Sequence, residues 1–87
     1  ERFGVVNRVV PAELLLEEAK AVAKKIAAKP LLAIRAAKQA VLKAANVPLD
    51  EGLDFERKSF YLLLSSEDRK EAMTAFLEKR KPELKGR

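Results

Sequence analysis

The residues best placed to act on a ligand lie near the end of the chain, in "MTAFLEKRKPELKGR". Phe76 and Lys79 stand three apart, the spacing that puts two side chains on one face of a helix. An aromatic ring beside an ammonium suits a ligand with a planar or apolar part and a phosphate; the plainer alternative, which residue types alone favour, is that Phe76 is core and Lys79 solvated. Most other chemistry is excluded by composition. The chain has no His and no Cys, so Ser–His and Cys–His nucleophiles and a conventional zinc site are ruled out. Ser59, Ser65 and Ser66 have no imidazole to activate them, and Gly4, Gly52 and Gly86 are too scattered to form a phosphate-cradling loop. Asp50/Asp54 and Glu67/Glu71 are carboxylate pairs at helical spacing. Paired acid–base work would need burial to separate their pKa values, and the sequence reads instead as exposed helix surface. No catalytic residue is assigned.

The elements that must carry Phe76 and Lys79 are amphipathic helices. Pro11, Pro30 and Pro48 each precede a stretch of helical spacing, where a missing N–H does no harm. The first helix is predicted at about 12–28, with Leu15, Ala19, Val22 and Ile26 on one face. The second, about 30–45, carries Ile34, Ala37, Val41 and Ala45. A third, about 48–64, presents Leu49, Leu53, Phe60 and Leu64. Gly52 inside it costs about 1 kcal/mol relative to alanine, which implies that packing or a ligand wants no side chain there. The fourth, about 66–81, starts after Ser65 or Ser66 as N-cap and carries Ala72, Met73, Phe76 and Leu77 as far as Pro82. The fold class is therefore all-α: four amphipathic helices with a short extended N-terminal segment.

"FGVVNRVV" does not fit helical spacing. Its β-branched Val5, Val6, Val9 and Val10 around Asn7-Arg8 read as a short strand or extended arm, with a turn at the polar pair. No second strand exists to pair with it. The expected division is an arm over 1–11 belonging to a larger body and a helical oligomerisation domain over 12–87.

With 87 residues, 48% apolar and 36% charged, the chain suits one small domain with a marginal core. No apolar run approaches the roughly 18 residues needed to span a bilayer, no leader peptide is read at Glu1-Arg2, and the absence of Cys favours the cytoplasm. The net charge is +5, and residues 78–87 alone sum to +3. That cluster is too short for a duplex footprint, and the other basic residues are interspersed with acids, so neither nucleic acid nor membrane is expected as a partner.

Four segments in order, "FGVVNRVVP", "AIRAAKQAV", "LDEGLDFERKSF" and "SSEDRKEAMTAFLEKRKPELKG", resemble the C-terminal third of the enoyl-CoA hydratase/isomerase (crotonase) family. Two positions depart from the family pattern: Ala72 replaces a usual glycine, and Leu84 replaces an aromatic after Pro82. The resemblance implies a helical trimerisation region whose oxyanion hole and acid–base glutamates lie in a preceding spiral core. It implies self-association as a trimer or dimer of trimers, and acyl-CoA as ligand of the parent protein. It also implies that Phe76 and Lys79 contact CoA. The parent reaction would be hydration or isomerisation of an acyl-CoA in fatty acid metabolism. No cofactor or metal is called for, and the 87-residue chain by itself is expected to be inactive. The competing reading is a free-standing helical interaction module; a reading frame upstream of Glu1 encoding a spiral core would decide between them.

Overall fold

The computed structural model describes residues 1–87. The chain runs from an irregular arm through a 3-10 turn, Ala12–Leu14, into four helices: α1 Leu15–Ala27, α2 Leu31–Ala44, α3 Leu49–Leu63 and α4 Glu67–Leu77. There is no strand. The valines of the arm have no partner strand, so β propensity alone does not produce one. The turn also lies elsewhere than expected. It closes at Glu1–Gly4, where Gly4 N–H donates to the Glu1 carbonyl at 3.0 Å and glycine takes φ +75°. Only a bend marks Asn7.

Pro30 and Pro48 stand one position outside their helices, with φ near −55° and ψ extended. Each carbonyl accepts the first helical bond, from Ile34 N–H at 3.1 Å and Gly52 N–H at 3.0 Å. Proline thus starts these helices without a side-chain cap. In α4 a hydroxyl does this work, since Ser66 Oγ accepts from Arg69 N–H at 3.2 Å. The turn between α3 and α4 is fastened twice more: Ser66 Oγ donates to the Leu63 carbonyl at 2.7 Å and Arg69 Nη1 to the Leu64 carbonyl at 2.8 Å.

Only α2 and α3 pack extensively along each other. The faces they use are not the predicted ones. On α3 the half-buried positions are Gly52, Asp54, Phe55, Ser59 and Leu63, while Leu49, Leu53, Phe60 and Leu64 are exposed. On α2, Ala33, Ala36 and Ala40 turn inward, and Val41 faces solvent. Ile34 is half-buried. Small side chains let the two backbones approach, and the bulky apolar stripes are left outside. The same inversion occurs on α4. Its buried residues are Asp68 and Ala75, while Met73, Phe76 and Leu77 are exposed.

Uncovered apolar surface is consequently the rule. Asp68 and Ala75 are the only buried residues. Accessible area is 7826 Å² for 9.7 kDa, against roughly 5100 Å² for a compact monomer of that mass, an excess of roughly 2700 Å². The radius of gyration is 16.4 Å, where about 12 Å is usual for this length. The molecule is a slab of 42 × 40 × 18 Å. The arm lies over the apolar face of α1, where Val10, Leu15, Val22 and Ile26 line a shallow groove and Arg8 is ion-paired with Glu18.

Gly52 is not forced by crowding. A Cβ there would lie 3.7 Å from Val47 Cγ2 and 4.0 Å from Ala44 Cα, which is ordinary contact. Gly52→Ala is therefore expected to stabilise the chain by about 0.5–1 kcal/mol through helix propensity. Urea unfolding followed by circular dichroism checks this, and a lowered midpoint would show that the site requires glycine.

Candidate functional site

The end of α4 differs from the sequence expectation in one respect that reshapes the site. The helix stops at Leu77, four residues before 81. Glu78 is its C-cap, and Lys79 adopts the left-handed conformation with φ 54°. Arg80 N–H then donates to the Ala75 carbonyl at 3.0 Å, and Lys79 N–H to the Phe76 carbonyl at 3.3 Å. This pair of bonds is a Schellman motif, in which the residue after the cap is usually glycine. Pro82 follows the stop and does not cause it.

Phe76 and Lys79 therefore do not share a helix face by i, i+3 spacing. The turn links them through the backbone alone, by the bond from Lys79 N–H to the Phe76 carbonyl. Both side chains are available. Phe76 is 82% exposed, and Lys79 is exposed with no carboxylate within ion-pair distance. The pair offers an open ring and an unneutralised ammonium at one end of α4, suited to a planar group carrying an anion.

Three acidic residues of α4 hold the segment that follows. Asp68, 1% exposed, accepts Lys85 N–H at 2.7 Å and Gly86 N–H at 2.8 Å on its two oxygens. Its own N–H donates to the Arg87 carbonyl at 2.8 Å. Glu71 accepts both ends of the Arg80 guanidinium, at 2.6 and 3.1 Å, and Glu83 N–H at 3.0 Å. Glu67 pairs with Arg87 at 2.9 Å. Charge-assisted bonds of this kind are the stronger class of hydrogen bond. Gly86 adopts φ +78°, and a Cβ there would lie 3.3 Å from Leu31 Cδ2, so the strap ends against the start of α2. Glu71 is thus a half-buried anchor, whereas Glu67 stays exposed, as its spacing suggested, while pairing with Arg87.

The basic cluster divides accordingly. Arg80 is held by Glu71 and Glu78, and Arg87 by Glu67. Lys79 and Lys81 have no acidic partner. Arg80 and, beside it, Glu83 N–H pull the Glu71 carboxyl from its ordinary 4.5 down to about 2. In the other acidic pair, Asp54 is held below its usual range by the hydrogen bond from Lys58, 2.6 Å away, and Asp50 Oδ1 accepts Glu51 N–H in the first turn of α3. No group of three or more ligating side chains is gathered for a metal ion. No helix is long and apolar enough to cross a membrane.

Asp68, Glu71 and Arg80 were not marked by sequence spacing as partners, because they bond across 9 to 18 residues. The visible sign is Gly86 after an apolar Leu84: a lone glycine close behind a helix marks a place where the chain must turn.

A family model described as enoyl-CoA hydratase/isomerase matches residues 1–87. The chain superposes with a TM-score of 0.90, at 57% identity, on a crystal structure of an enoyl-CoA hydratase subunit I from Geobacillus kaustophilus HTA426, covering 100% of this chain and 34% of that one. An enoyl-CoA hydratase from Bacillus anthracis gives a TM-score of 0.93 at 40% identity, over 99% and 33% of the two chains. The 2,3-dehydroadipyl-CoA hydratase of Escherichia coli (strain K12) is 46% identical over 100% of this chain and 34% of its own length. The chain thus spans about a third of the length of the relatives it matches.

The lowered Glu71 carboxyl sets a pH dependence. A carboxyl depressed in the folded chain contributes stability that is present above its ordinary pKa of 4.5 and is lost as the pH falls through about 2. Thermal unfolding of the chain and of Glu71→Gln across pH 5 to 2 should give a shallower acid slope for the variant. Equal slopes would show that the anchor does not contribute.

Proposed function

This chain belongs to the enoyl-CoA hydratase/isomerase family, and we propose that it is the C-terminal helical portion of an enoyl-CoA hydratase-like protein, serving there as an oligomerisation surface that also borders the CoA site. The observation that carries this reading is the inverted packing. The helices meet largely through Ala, Gly and Ser, with Phe55 and Leu63 the bulkier members on α3, and about 2700 Å² beyond the compact-monomer expectation is left uncovered. Phe60, Leu62, Phe76 and Leu77 are all more than half exposed. Permanent assemblies bury areas of this order, with a similarly apolar character. The arm valines and the apolar stripes of α1–α4 are the surfaces to be covered by the catalytic core and by neighbouring subunits.

In the whole protein the reaction would be addition of water across a 2-enoyl-CoA double bond, or the related isomerisation. Phe76 would lie against the adenine or pantetheine part of CoA, and Lys79 would pair with a phosphate. This role for the two residues is supported by their exposure, by the lysine's freedom from acidic partners and by the family resemblance of the "AFLEKRKP" segment. The resemblance puts the oxyanion hole and the acid–base glutamates in a preceding core, so the chemistry itself would be done by residues outside this chain.

Two measurements follow. At micromolar concentration the 87-residue chain should sediment as oligomers; a monodisperse, cooperatively folded monomer at high micromolar concentration would overturn the oligomerisation reading. Titration with CoA should show weak, salt-sensitive binding that Lys79→Ala removes, with crotonyl-CoA turned over no faster than in buffer. Equal CoA binding by the variant would dismiss Lys79 as a CoA contact, and turnover above buffer would show that the chain holds catalytic groups of its own.

A further inference from the structure

Lys79 stands between a helix and a strap, in a conformation that a lysine does not choose by itself. The left-handed region is strained for a residue with a Cβ, and glycine would occupy it freely. The turn is held from both sides. On the helix side the carbonyls of Ala75 and Phe76 accept the two closing N–H groups. On the strap side the neighbouring Arg80 is bound at once by Glu71 and Glu78, with Glu71 gripping it at 2.6 and 3.1 Å. Glu71 also accepts Glu83 N–H, beyond Pro82, so one carboxylate clamps both ends of the segment 80–83.

We propose that Glu71, acting through Arg80, is a positioning residue for Lys79. The clamp keeps the strained turn closed and consumes the guanidinium, so that Lys79 is the cation presented beside Phe76. The proposal rests on the reading of Lys79 as a CoA contact.

The test separates the clamp from that reading. Amide hydrogen exchange is followed at Arg80, whose N–H closes the turn, and at Glu83, alongside CoA titration. Circular dichroism serves as the check on helix content. Glu71→Gln should speed exchange at both amides by about tenfold, the response of a locally opened segment, and weaken CoA binding toward the level of Lys79→Ala. Adding Lys79→Gly to Glu71→Gln should restore protection at Arg80, because glycine removes the strain that the clamp opposes. Arg80→Lys keeps the charge but loses the fork and should fall between wild type and Glu71→Gln; it replaces the latter if that variant loses helix content. Unchanged exchange at Arg80 in Glu71→Gln, or no rescue by glycine, overturns the clamp. Faster exchange with wild-type CoA affinity overturns the positioning role while leaving Lys79 as a contact. If Lys79→Ala itself binds CoA normally, the CoA reading fails, and the exchange data still decide whether the clamp exists.

Discussion

The structure depends on a shortage of interior. Helices that meet through Ala33, Ala36 and Ala40 on one side and Gly52, Phe55, Ser59 and Leu63 on the other come close together, but they bury little. Most residues in such an arrangement gain less from burial than they lose in conformational freedom. What remains is a scaffold whose geometry is set internally and whose larger apolar side chains are mostly uncovered. The apolar groove of about 350 Å³ between the start of α2, the end of α3 and α4, lined by Leu32, Phe60, Leu63 and Met73, belongs to this pattern.

Polar chemistry supplies the order that the missing core does not. Ser66 starts α4, Arg69 closes α3, and Asp68 satisfies two consecutive N–H groups of the strap. These bonds are local in space and directional, so they can define an orientation with little hydrophobic support. The basic cluster at the end of the chain is explained in the same terms. It is part structural ion pair and part free ammonium, and the division between Arg80 and Lys79 follows from which carboxylates lie within reach.

The four helices were legible in the sequence because proline, serine and apolar spacing act over a few residues. Their boundaries shift by a few positions at most, and the largest shift, at the end of α4, came from a lysine in a conformation that residue type disfavours. The faces were not legible. Periodicity finds the apolar stripe of a helix, but it does not say whether that stripe meets a sister helix or another body. Leu49, Leu53 and Phe60 mark the stripe correctly and still point outward. Phe76 and Lys79 could be singled out by type and proximity, whereas Asp68 and Glu71 act on backbone N–H groups, which leave no trace in residue identity. Of the two forms that the β propensity of the arm allowed, strand or extended segment, the strand is not formed, since a strand exists only with a partner.

The strap also orders events in time. During synthesis α1, α2 and α3 leave the ribosome and can coil as soon as their own residues are free. Asp68 emerges some seventeen residues ahead of the Lys85 N–H that it will bind, so for that interval its carboxylate has only water. The cap that Ser66 gives to α4 can therefore form well before the two bonds by which Asp68 ties down the strap.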